Sequence, residues 1–249
     1  MVWGGTLDLH LNLGGGLTGD MFIAAVLDAF PQFEQRVLAA IDAMDGPYPV
    51  ACSLVAHADY EVRGHRFEIE PFDKYFGYIP FAFSQERASW ESLRERLIAA
   101  DIKAGVRTRA IRIFELLAKA ESAVWGIASD EMAFEVGGWS SIAQVMGAAA
   151  LIDALEPARW TASPFAPDEF VTLTGAAIVD YLCPSSSPRS RVQLPRVRNL
   201  VRSGTGFGSQ NSRLRLLCFE EGDAALAGLH DSAQAPPRAA GREGGQLSQ

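Results

Sequence analysis

The chain predicts an α/β fold, a mixed sheet covered by helices, as a single domain over residues 1–222 with a disordered tail over 223–249. Three observations carry that expectation. Apolar residues alternate with polar ones near both ends of the chain, which marks half-buried strands. Long apolar stretches with a 3.6-residue period fill the middle. From Asp223 onward Ala, Gly, Pro, Gln and Ser dominate, a composition that buries too little apolar surface to fold.

The elements follow in order. Leu7, Leu9, Leu11 and Leu13 alternate with Thr6, Asp8, His10 and Asn12, giving a strand over 6–13. Asp20 opens a helix whose apolar face holds Met21, Phe22, Val26, Leu27 and Phe30; Pro31 interrupts it, and a second helix runs from Phe33 to Met44. Strand character over 50–56 and 60–62, a turn at Arg63-Gly64-His65 and a return strand through Phe67 and Ile69 predict a hairpin. The aromatic stretch 71–84 is expected as a loop. Ser89 starts a helix to about Ala100, and a longer one reaches Trp125, stopped by Gly126. A short strand at 133–136 meets Gly137-Gly138, after which Ser140 or Ser141 caps a helix to Leu155. Thr174 caps a helix to Leu182. Residues 183–190 form a loop, and strands at 192–201 and 213–219 flank the glycine-rich "SGTGFGSQNS".

Composition narrows the function. A formal net charge of −8 argues against a nucleic-acid partner, which calls for a basic field, although five arginines lie between Arg189 and Arg202. The start carries no basic segment followed by a long apolar run, and no 18-residue uncharged apolar stretch occurs. A cytoplasmic protein with no membrane partner is expected. Cys52, Cys183 and Cys218 are scattered, so neither a disulfide framework nor a paired-cysteine zinc site is signalled.

Three glycine clusters are candidates for chemistry: Gly14 to Gly19, Gly137-Gly138, and Gly204 to Gly208. The first two precede helices, where free N–H groups and the helix dipole favour anions. No Gly-Lys-Ser/Thr follows the first, so it is not a P-loop; Asp20 stands at the helix start and suits a metal-bridged phosphate better than a bare one. The alternative is that the glycines only permit tight turns. Asp8, His10 and Asn12 share a strand face beside this turn, and with Asp20 they offer oxygen and nitrogen donors for a cation. A solvated polar strand face is the plainer explanation. Glu135, next to the second glycine turn, is a candidate acid/base or ligand, while His57 and His65 read as structural or surface residues flanking the hairpin.

With these residues in view, the chain resembles LarC-type nickel-insertion proteins. "HLNLGGGLTGDMFIAAVLDAF" is similar to that family's opening block, and "VRTRAIRIFELLAKAESAVWGIASDEMAFEVGGWSSIAQVMGAAALIDAL" to its second. "TLTGAAIVDYL" and "SGTGFGSQNSRLRLLCFEEG" resemble two further blocks in the same order. The resemblance implies insertion of nickel into a pyridinium bis-thiocarboxylate mononucleotide, the nickel-pincer precursor, with a cytidine nucleotide and Mn or Mg. It implies Asp20 and Glu135 as catalytic residues. Gly16, Thr18, Gly19, Gly137, Gly204, Gly206 and Gly208 would bind the cofactor, and Asp8, His10, Asn12 and Asp20 the metal. The departures are directional. Asn12 stands where the family has Asp, Met132 and Phe134 replace two histidines, Trp125 replaces a third, and Ser140 replaces an Asp. The family's segment between Ser163 and Thr172 is shortened. A separate C-terminal LarC-like domain is the expected partner, and a non-catalytic relative that kept the fold but lost the metal site is the alternative.

Overall fold

A computed structural model of the chain describes residues 7–44, 50–58, 63–73, 77–78, 88–126, 128, 133–134, 139–164, 170–183, 202–207 and 212–220. Among these, β1 (Leu7–Asn12) leads through the glycine turn into α1 (Gly19–Ala29), a 3-10 turn at Pro31–Phe33 and α2 (Glu34–Asp42). The hairpin β2 (Val50–Ala58) and β3 (Arg63–Asp73) follows, then β4 (Gly77–Tyr78) and β5 (Ala88–Ser89). The helical middle comprises α3 (Trp90–Ala99), α4 (Ala104–Trp125) and α5 (Trp139–Ala154), with β6 (Ala133–Phe134) between the last two. β7 (Arg159–Ala162), α6 (Leu173–Leu182), β8 (Arg202–Phe207) and β9 (Arg213–Glu220) complete the order.

The principal sheet runs β2-β3-β8-β9-β1-β7, with β4 paired to β3, while β5 and β6 form a separate two-stranded ladder. It is mixed: β1 pairs parallel with β7 and antiparallel with β9, and β3 pairs parallel with β8. The α/β expectation therefore holds. The β1–β9 register sets Leu9 beside Cys218 and Leu11 beside Leu216, and all four are buried. Gly204 and Gly206 lie on the same sheet face, opposite Leu216 and Leu214. Helix α1 rests on that face and meets α5 on another side. Nine of its eleven residues are buried, which is why it is apolar all round rather than in one stripe.

Several sequence expectations shift by a few residues for identifiable reasons. Thr18, not Asp20, caps α1, its hydroxyl accepting from the Met21 N–H at 3.2 Å. Thr172 rather than Thr174 caps α6, accepting from the Gly175 N–H, while Thr174 is buried. α5 begins at Trp139, so Ser140 and Ser141 lie inside its first turn. The expected turn at 63–65 is strand, because β3 pairs with β2 in unbroken register from Arg63 to Pro71. β3 also continues to Asp73 and β4 pairs with it, within the stretch expected as loop. The stop of α4 is as expected: Gly126 is left-handed at φ 67° and its N–H donates to Ser122. No helix among the described residues is long and apolar enough to cross a membrane. The expected strand 192–201, loop 184–190 and tail 223–249 lie outside the described residues.

Candidate functional site

The glycine turn does not present a row of free N–H groups. Gly14 donates to the Asn12 side-chain oxygen at 3.1 Å, and both Gly15 and Gly16 donate to the Leu13 carbonyl. Leu17 donates to Phe170 O at 2.8 Å and its own carbonyl receives Thr172 N–H, forming a parallel bridge to Val171. Gly15 O accepts from Arg213 N–H at 2.8 Å. The turn is thus stitched between the chain before α6 and the start of β9. Gly16 sits at φ 94°, where a side chain would be strained and its Cβ would stand 2.4 Å from Phe170 O. Packing and backbone geometry account for Gly15 and Gly16.

Asp20 is the functional group left at this corner. Gln144 Nε2, from α5, lies 3.4 Å from Asp20 Oδ1, and Gly19 packs against the same Gln144 side chain. Burial pushes the Asp20 carboxyl above its ordinary value; hydrogen bonds from Thr18 and the N–H groups of Asp20 and Met21, with the charge of Arg66, pull it back only in part. A proton or a cation arriving at Asp20 relieves the cost of its buried charge.

The polar face of β1 does not converge on a cation. Asp8 is held by Arg159 through two bonds, Nε to Oδ1 at 2.6 Å and Nη2 to Oδ2 at 2.8 Å. His10 is buried with Nδ1 bonded to Thr161 Oγ1 at 2.9 Å, and burial lowers its pKa, keeping it neutral. Asn12 is committed to Gly14 N–H. Among the described residues no group of three His, Cys, Asp or Glu side chains could hold a metal ion. Nor do Cys52 and Cys183 offer thiolate near neutral pH: burial pushes the first to about 12 and the second to about 11.

Gly204 and Gly206 also have a packing explanation. They lie inside β8, not in a loop, and a Cβ on them would stand 1.8 Å from Ala25 O and 2.1 Å from Met21 O. The backbone of α1 lies directly on that strand, leaving no room for a ligand at either Cα. Glu135, Gly137 and Gly208 lie outside the described residues.

One arrangement escaped the sequence reading. His65 Nδ1 donates to Asp28 Oδ1 at 2.7 Å, and Asp28 Oδ2 accepts from Thr205 N–H at 3.0 Å. The carboxylate of α1 thereby orients an imidazole on β3 and ties both to β8. The sequence marks only half of it: Asp28 is the one charged residue in the apolar run 21–29, and an acid there needs a partner, which the sequence does not name.

Against known families, the family model described as nickel insertion protein matches residues 9–167. A pyridinium-3,5-bisthiocarboxylic acid mononucleotide nickel insertion protein of Nocardioides sp. is 32% identical over 158 residues, 63% of this chain and 37% of that protein. A relative of the same description from Akkermansia muciniphila is 28% identical over 150 residues, 59% and 36% of the two chains. A putative nickel insertion protein of Pelobacter propionicus is 25% identical over 240 residues, 82% of this chain and 57% of that one. The chain thus spans between 36% and 57% of the length of these relatives. No solved structure matches it.

Proposed function

The chain belongs to the nickel insertion protein family, and on that premise we propose that it acts in nickel-pincer cofactor assembly, inserting nickel into pyridinium-3,5-bisthiocarboxylic acid mononucleotide. The observation that carries this reading is the matched span itself, which contains the glycine turn, Asp20 and the helix that supplies Gln144. In this reading nickel is cargo. Asp20 is the oxygen donor that meets it in transit, because burial already favours replacing the lone charge by a neutralised pair. Gln144 and Thr18 fix the carboxylate's direction, and Glu135 with Gly137 is the second acid and turn that the family resemblance assigns to the reaction. The reaction class is that of a lyase, and the compartment the cytoplasm.

The cytidine nucleotide with Mn or Mg belongs to the same proposal, with a restriction. A hard cation takes six or more oxygen ligands, often several of them carboxylates. At the glycine turn the described residues supply one carboxylate, Asp20, and two amides, Gln144 and Asn12, the latter already engaged by Gly14 N–H. They do not fit a resident cation cage, and Gly204 and Gly206 do not cradle a phosphate. The nucleotide step is assigned instead to the length of the family that this chain does not span.

The test is activation of a pincer-dependent racemase by nickel and the precursor, with this chain alone and with a relative's C-terminal domain added. Activation in either arm, reduced at least about tenfold by Asp20→Asn, is expected. No gain over the blank in both arms overturns the reading. The second reading, a binding relative without catalysis, is favoured by the engaged turn and the missing three-residue cluster among the described residues. Calorimetry with nickel separates them: micromolar nickel binding that Asp20→Asn abolishes supports the first, and no nickel binding supports the second.

A further inference from the structure

The end of the β2–β3 hairpin carries a depression of about 340 Å³, lined by Asp28, Ala56, His57, Ala58, Arg63, Gly64 and His65. Register explains the hollow. His65 stands opposite Ala56 and Arg63 opposite Ala58, so each long side chain faces a methyl group across the ladder. His57 pairs with Gly64 one residue out of step, which puts its ring on the other sheet face, edge-on to Phe207 with centroids 4.9 Å apart. The chemistry on the hollow's own face is therefore one imidazole, one exposed guanidinium and one carboxylate.

That carboxylate is already committed on both oxygens, to His65 Nδ1–H and to Thr205 N–H. An ionised carboxylate only accepts, so Nδ1 carries a proton and Nε2 is the nitrogen left for a ligand. A single imidazole nitrogen beside a guanidinium is a poor cation site, because borderline metals need several donors and the arginine repels them. It is a better anion site: His65 and Arg63 stand two residues apart on one strand face beside the hollow, a protonated imidazole and a guanidinium are charge-assisted donors, and arginine matches phosphate geometry. The volume lies at the small end of ligand sites, enough for a phosphate with its attached sugar.

We propose that this hollow is a phosphate-monoester subsite, with His65 and Arg63 as its binding groups and Asp28 as the positioning residue that holds His65. The proposal rests on the function given above only for the identity of the natural ester, the mononucleotide precursor. Binding of the group is tested without nickel, so the two can fail separately.

The experiment follows the ring-nitrogen resonances of His65 by NMR at pH 6 during titration with ribose 5-phosphate, inorganic phosphate and ribose. Saturable movement of His65 Nε2 with ribose 5-phosphate and none with ribose is expected. Inorganic phosphate binding as tightly as the ester supports a site for the phosphate group alone, and a tighter ester supports a sugar contact as well. His65→Gln and Arg63→Gln should each weaken binding about tenfold or more, with melting temperature and circular dichroism confirming that both variants fold. Asp28→Asn should weaken it too and, in the neutral ring, move the proton between the two nitrogens, a change that loss of packing alone does not produce. Equal response to ribose, unchanged affinity in both glutamine variants, or a response to nickel chloride alone overturns the proposal.

Discussion

Asp20 and Asp28 sit eight residues apart on one helix and have opposite circumstances. Asp28 has two donors aimed at its two oxygens, whereas Asp20 has a distant amide and local N–H groups that only partly offset its burial. The difference makes a prediction with a definite sign. A carboxyl whose folded pKa is raised binds more protons folded than unfolded, so its contribution to stability is fully present below the unfolded value of about 3.9 and is lost as pH rises through the folded one. Thermal melts of Asp20→Asn against the parent chain should therefore diverge in the variant's favour as pH rises from about 4 toward neutrality. Superimposable pH profiles would count against a raised pKa. Of the two acids only Asp20 was legible in the sequence, because a glycine turn marked it. Asp28 was not, because its partner lies 37 residues away in a segment whose glycine suggested a turn, and pairing along β2 overrides that local preference.

At the scale of elements, the contact between α1 and β8 places its glycines without regard to turns. Gly204→Ala or Gly206→Ala would drive a methyl group into helix backbone, which cannot swing aside as a side chain can. Each should cost about 3 kcal/mol or more, the upper end of overpacking, read as a fall in urea midpoint. Gly126→Ala is the informative control: its φ of 67° is strained for alanine but nothing lies within 4 Å, so the loss should stay near 1–2 kcal/mol. A second joint ties α4 to α5. Asp153, 7% exposed, takes Lys103 at 2.7 Å and Arg109 at 3.1 Å, while Arg109 also reaches the exposed Glu156. Asp153→Ala leaves a guanidinium that is 13% exposed without its buried partner and should cost about 3–5 kcal/mol. Glu156→Gln should cost less than about 1 kcal/mol. Similar losses for the two would show that the pair is not buried in solution. Helix positions were legible because apolar periodicity extends over several turns, as in α4. The caps of α1 and α6 were displaced because Thr18 and Thr172 each lie two residues before a second polar residue, Asp20 or Thr174, that can also cap.

For the whole molecule, the decisive fact is that the last described strand is interior. β9 lies between β8 and β1, so residues 215–220 pair with residues 7–12 across nearly the whole chain, and Leu214, Leu216 and Cys218 belong to the same core as Leu9 and α1. None of this was legible. Period-two alternation marks a strand but not its neighbour, and β7, four residues long, is too short to show a period at all. The topology has a consequence for truncation. A chain ending at Gly222 keeps every described strand and should melt within about 2 °C of the parent, less than the shift that ~1 kcal/mol produces at this size. A chain ending at Ser212 loses the strand that joins the two halves of the sheet. It leaves β1 with only β7 as partner, strips the cover from Leu9 and Leu11, and exposes the edge of β8. It should not fold cooperatively, because a sheet cut at its centre has two new open edges and no common core. A cooperative melt in that shorter chain would mean that β1 and α1 pack independently of β9, against the pairing that holds the glycine turn and Asp20 in place.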